Sequence, residues 1–245
     1  MTTDDLVRAA ARNNAAWCAT MAGAHGISGR TRRQAWASPV RTPPLYPDAV
    51  TLVPGADAAA LVDRIDTRSP GASVKDSFAD LDLSAATPQG AAFEVAFDAS
   101  WIHRPPASAP GAPMPGVEWA TVTDAAALRT WAGAWDQGGG RAWVFRPELL
   151  GDPSTTVLAG RTGAGAVVAG AVATRTDGVV GVSNVFAVPG TPGSVWHGVL
   201  GAVGHLFPGV PVVGYECGDD LEAALRHGFE VVGPLRVWVA ASPTG

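Results

Sequence analysis

The chain is poor in lysine, cysteine and tyrosine, and each shortage removes a class of function. Of its 17 basic residues one is a lysine, Lys75, and the other sixteen are arginines. The net charge is −5, and the only local basic cluster is Arg30, Arg32 and Arg33. That cluster reads as a solvated loop, so no nucleic-acid partner is expected. The two cysteines, Cys18 and Cys217, stand far apart with no CxxC or Cys/His spacing, which excludes a disulfide framework and a zinc module. His197, His205 and His227 share no metal-like spacing either, so no metal is expected. Ser73, Ser77 and Ser183 lie in no GxSxG elbow, which argues against a serine hydrolase. No apolar run reaches the ~20 residues of a membrane span. The opening MTTDDLVRAAARNN lacks the basic-then-apolar order of a signal peptide. The expectation is a cytoplasmic protein without a membrane partner.

Glycine (30), proline (20) and alanine are abundant, and with the arginine-for-lysine skew they read as a coding bias. A length of 245 residues can fill one large domain or two small ones. Asp4–Ala24 reads as a helix, with Asp4 and Asp5 in its first turn and Gly26 at its end. Ser28–Pro47, with three prolines between Pro43 and Pro47, reads as extended loop. Val50–Val53 reads as a strand and Asp57–Ile65 as a helix. In FEVAFDASW, Phe93, Val95, Phe97, Ala99 and Trp101 share one face, which predicts a half-buried strand ending at His103-Arg104. The run Pro105–Gly116 carries no charge and no periodicity and reads as a linker. The expected division is therefore 1–104, linker 105–116, and 117–245.

From Val117 the predicted order is regular. Val117–Val122 is a strand, and a helix follows that Thr123 or Asp124 caps and Gly138–Gly140 ends. Arg141–Phe145 is short and extended, and Pro147–Leu150 is one helical turn. Strands follow at Thr155–Ala159, Ala166–Thr174 and Val179–Val188. Then come a helix at Ser194–Phe207, a strand at Val210–Glu216 and a helix at Asp219–His227. Two closing strands, Phe229–Val232 and Leu235–Val239, flank Gly233-Pro234. This order predicts an α/β (α+β) domain with a mixed sheet. Trp131 and Trp135, at i, i+4 spacing, read as core or domain-interface residues.

Three stretches carry a resemblance to a known family: VVAGAVATRTDGVVGVSNVFAV, PGTPGSVWHGVLGAVGHLF and GVPVVGYECGDDLEAALRHGFEVVGPLRVWV. In order and in local features they resemble the GNAT superfamily of acyl-CoA-dependent N-acyltransferases, in a divergent, actinobacterial-type form. The resemblance covers about half the chain. It implies a mostly antiparallel GNAT sheet flanked by helices, and acetyl-CoA or another acyl-CoA as co-substrate. It also implies an amine of a small molecule or a protein as acceptor, a small molecule being the expected partner. The donor would lie against Phe186, Ala187 and Val188, with the Phe186 and Val188 amides polarising the thioester. Its pyrophosphate would meet Gly190, Gly193, Ser194 and Val195 at a helix start. Catalysis would fall to Glu216 as base and Tyr215 or Cys217 as acid, with polar Asn184 nearby.

The sequence departs from the family pattern at two places. No Arg or Gln occurs from Val188 to Phe207, and the family's acidic Tyr position is Ala224. Three functions therefore stay open: an acyltransferase, a non-catalytic binding relative, and a scaffold turned to another biosynthetic reaction. The N-terminal half reads as a degenerate second GNAT unit, with His103 and Arg104 as candidate cleft residues.

Overall fold

The computed structural model describes residues 2–84, 92–106, 114–176 and 178–241. It divides into two compact units, Met1–Trp101 with Val231–Gly245, and Ile102–Glu230. The last strand thus groups with the N-terminal half, although the sequence order suggests that it closes the C-terminal one. Most of the expected linker, residues 107–113, lies outside the described residues.

In the first unit, helix α1 (Thr3–Ala24) opens on a capping box. The Asp5 amide donates to Thr2 Oγ1 at 3.2 Å and the Thr2 amide to Asp5 Oδ2 at 2.9 Å. Its inner face buries Ala10, Ala11, Trp17, Cys18 and Met21. It also buries Asn14, whose Oδ1 accepts from the buried Lys75 Nζ at 2.9 Å. The chain's single lysine is a core residue with a hydrogen-bond partner, as burial of an ammonium requires.

The strands of this unit are β1 (Arg30–Thr31), β2 (Ala35–Ala37), β3 (Ala49–Thr51), β4 (Ser73–Asp76), β5 (Phe93–Arg104, whose last three residues fall in the second unit) and β11 (Glu230–Ala240, whose first residue does). They lie in the order β1-β2-β3-β4-β11-β5, and β3 and β4 are parallel. Helix α2 (Ala58–Val62), capped by Asp57 through the Ala60 amide, connects those two strands.

Three expectations for this region change. Ser28–Pro47 is loop only in part, because β1 and β2 occupy it; strands of two and three residues are too short to show a period. The two closing strands are one, β11. It runs through Pro234 because its pairing with β4 begins later, at Arg236, so the missing N–H removes no ladder bond there. In β5, Phe93, Ala99 and Trp101 are buried, but Val95 and Phe97 are 43% and 42% exposed.

The second unit contains β6 (Val117–Thr121), α3 (Ala125–Asp136), β7 (Thr155–Thr162), β8 (Val167–Thr176), β9 (Val179–Ala187), α4 (Val195–Leu206), β10 (Val212–Glu216) and α5 (Gly218–Arg226). The strands run β10-β9-β8-β7-β6, antiparallel except for β9 with β10. Asp124 caps α3 by accepting from the Ala126 and Ala127 amides, both at 2.9 Å. Arg141–Phe145 is not extended: Ala142–Val144 forms a short 3-10 turn.

One face of this sheet packs Leu158, Ala171, Val180 and Val182 against Trp196, Val199 and Val203 of α4. Around Trp131 a second cluster forms, with ring centres 4.9 Å from Phe145 and 5.3 Å from Phe186. The Trp131 indole N–H donates to Leu158 O at 2.8 Å. Trp131 therefore packs as core, as its spacing suggests.

Gly170 of β8 makes that cluster possible. A Cβ there would stand 2.2 Å from Trp131 Nε1 and 2.4 Å from Phe186 Cε1. Gly170→Ala should therefore cost about 1–3 kcal/mol in urea unfolding. Gly201→Ala in α4, where nothing lies within 4 Å, should be neutral or stabilising by up to ~1 kcal/mol.

Candidate active site

The candidate site forms where β9 and β10 stop pairing. Their parallel ladder consists of Val180 with Val212 and Gly181 with Val213. At the next position the strands still touch, because a Cβ on Gly214 would lie 3.1 Å from Val182 O. Beyond that point the two strands no longer pair with each other, β9 running to Ala187 and β10 to Glu216.

A bulge turns β9 at this place. Val172 pairs with Ser183 and Gly170 with Phe186, so Asn184 and Val185 together face the single residue Ala171. Asn184 takes φ 53°, a left-handed conformation that asparagine tolerates and a β-branched residue resists. The polar interruption of an apolar strand is thus explained by backbone geometry.

The same ladder decides which amides are free. The Val188 N–H donates to Val168 O at 2.8 Å. Phe186, paired with Gly170 two residues earlier, shares that phase, so its amide also turns toward β8. The expected use of the Phe186 and Val188 amides as carbonyl donors does not fit. By alternation the Ala187 amide points to the β10 side. The Phe186 side chain is buried against Trp131.

At the end of β10, Tyr215 and Glu216 are half-buried. Burial, and then the neighbouring charge of Asp220, raise the Glu216 carboxyl to about 7. Cys217 is exposed and starts α5 without a side-chain bond to the helix. Asp219 and Asp220 occupy the first turn of α5, where the helix dipole favours them.

The loop from β9 into α4 turns through Gly190 (φ 86°) and Gly193 (φ 81°). Thr191 Oγ1 ties it back by donating to Val188 O at 2.6 Å. Ser194 begins α4 without a side-chain bond to it, so the Val195 and Trp196 amides are not capped by that hydroxyl. These amides suit a phosphate, but no arginine or glutamine side chain stands in the loop, and Pro192 has no N–H to offer. Ala224, at the family's tyrosine position, is fully buried in the core beneath α5.

The fold also joins residues that no spacing linked. The rings of His197 and His227 lie 4.7 Å apart, edge to face. His227 Nδ1 is 2.7 Å from Ala223 O, and Arg104 Nε donates to His227 O at 2.9 Å. His103 is half-buried, and desolvation lowers its pKa against the opposing effect of Glu230. Among the described residues no three His, Cys, Asp or Glu side chains group as a metal site, and no helix is long and apolar enough to cross a membrane.

No family model and no curated protein matches the sequence. Solved structures do match. A GCN5-related N-acetyltransferase from Kribbella flavida is 17% identical, aligns over 96% of both chains and has a TM-score of 0.55. A GCN5-related N-acetyltransferase from Sphaerobacter thermophilus is 12% identical over 69% of this chain and 60% of its own, with a TM-score of 0.50. A functionally unknown conserved protein from Staphylococcus epidermidis, 12% identical, covers 70% of this chain and 73% of its own, with a TM-score of 0.52. The protein has the GNAT fold.

The raised Glu216 pKa has a thermodynamic consequence. A carboxyl whose pKa rises on folding stabilises fully below its unfolded value, and that contribution fades as pH climbs through the folded value. Compared with Glu216→Gln, the wild-type chain should lose stability between pH 4.5 and about 7, measured by urea unfolding across that range. Parallel pH profiles for the two chains would remove the shift.

Proposed function

We propose that the protein is an N-acyltransferase that moves an acetyl or other acyl group from acyl-CoA to the amine of a small molecule. The observation that carries this reading is the half-buried Glu216, with a pKa of about 7, at the point where β9 and β10 part. A base is most effective near the working pH, and this carboxylate can take a proton from an ammonium as it enters.

The neutral amine then attacks the thioester carbonyl carbon. The C–N bond forms and the C=O π pair moves to oxygen, facing the Ala187 amide. Collapse restores the carbonyl and breaks the C–S bond. Tyr215 or Cys217 protonates the departing thiolate, and the proton remaining on the new amide nitrogen restores that acid through solvent. The donor's phosphates would rest on the amides of Gly193, Ser194 and Val195.

The first unit repeats the same motif in reduced form, which supports its reading as a degenerate second GNAT unit. Strands β3 and β4 are parallel and joined through α2, as β9 and β10 are through α4. Its strand ends are tied together: the Ser77 amide donates to Thr51 Oγ1 at 2.8 Å, and the Gly55 amide to Asp80 Oδ2 at 2.7 Å. The free thiols of Cys18 and Cys217 suit a reducing, cytoplasmic setting.

The buried Ala224 and the loop without Arg or Gln favour a second reading, a GNAT-fold protein that binds without catalysis. Calorimetry with acetyl-CoA, followed by turnover with a panel of amines, separates the two. Glu216→Gln should leave donor affinity unchanged and lower turnover ~10²–10⁴-fold. The wild-type rate should rise with pH to a plateau above about 7. Binding without turnover selects the second reading, and no binding of acetyl-CoA defeats the transferase reading.

A further inference from the structure

We infer that the first unit carries a separate binding site for a small organic anion, a cavity of about 550 Å³ between the β1–β2 turn and α2. Its size lies within the roughly 300–1,000 Å³ of small-molecule sites. The floor is apolar, formed by the buried Ala35, Ala56 and Leu61. Arg32, Arg33 and Arg64 stand around it.

The three arginines are placed by the fold. The Arg32 amide donates to Ala35 O at 2.9 Å, closing the turn that presents Arg32 and Arg33. Arg64 stands just past the C-terminal end of α2, 31 residues beyond Arg33 (64 − 33), and spans the gap. Its Nη2 donates to Arg30 O at 2.7 Å and its Nη1 to Ala35 O at 3.3 Å, which holds the guanidinium in place. Gln34 Oε1 faces the Asp57 amide at 3.5 Å.

The cations outnumber the acids. Three arginines face two aspartates, Asp57 and Asp63, a net charge of +1 on the lining of an acidic chain. Asp57 is committed to capping α2 through the Ala60 amide. Among the described residues neither Arg32 nor Arg33 forms an ion pair, and the Arg32 charge, after burial, disfavours protonated Arg64. A carboxylate or phosphate entering here meets three arginines on the lining above an apolar floor, the side chains that recognise a planar or tetrahedral oxyanion.

Calorimetry on the intact chain with citrate and, separately, inorganic phosphate tests the inference. At least one probe should bind saturably, more weakly as salt is added. The Arg32→Gln/Arg33→Gln chain, whose substituted positions are exposed, should bind it at least tenfold more weakly. Arg33→Glu alone should weaken it too, and supplies the test if the double variant does not fold. Citrate alone binding assigns a carboxylate, and phosphate alone a phosphate ester. Failure of both probes to saturate, or equal binding by the folded variants, overturns the site. Glu216→Gln should bind the probe as the wild type does, which keeps this result distinct from the fate of the acyltransferase reading.

Discussion

The parallel contact between β9 and β10 lasts for two residue pairs, and the candidate chemistry depends on its ending there. A parallel strand pair that continued would use its amides and carbonyls in a ladder and leave no opening. A local feature of β9 accompanies that end: after the strands last touch, at Gly214 and Val182, the extra residue at Asn184 bends β9 and alters its phase. The result is the Ala187 amide turned to the β10 side on one strand and Tyr215-Glu216 at the end of the other.

Burial then supplies the reactivity. Glu216 is an ordinary carboxylate in sequence, but partial removal from water and the nearby Asp220 charge bring it to a pKa of about 7. The acids of the first turn of α5 complement the helix dipole, and one of them, Asp220, also opposes ionisation of Glu216. The packing of Trp131 on Gly170 and Phe186 holds β8 and β9 in the register from which the bulge follows.

Much of the second unit was legible in its residues. Apolar runs broken by glycine turns mark β7, β8 and β9, and Asp124 marks the start of α3, because each signal is local. The closing strand was harder, since Gly233-Pro234 looks like a break. It is tolerated because pairing with β4 starts at Arg236. Strands β1 and β2 were hidden by their length. Val95 and Phe97 follow the alternation of a buried face yet remain exposed, because period alone does not say whether anything covers a face.

The site was legible by residue type rather than by geometry. Glu216, Tyr215 and Asn184 stood out as polar residues in apolar strands, and glycines marked the loop before α4. The sequence by itself determined most of the element order in the second unit, the missing Arg/Gln loop pattern and the absence of the family's tyrosine, since these are properties of residues at positions. Only the tertiary structure decided that the Ala187 amide, rather than those of Phe186 and Val188, faces β10. Only it brought His197 to His227 and Arg64 to Arg32. Ladder phase and long-range proximity arise from pairing between strands and helices distant in the chain, and no local pattern of residues encodes them.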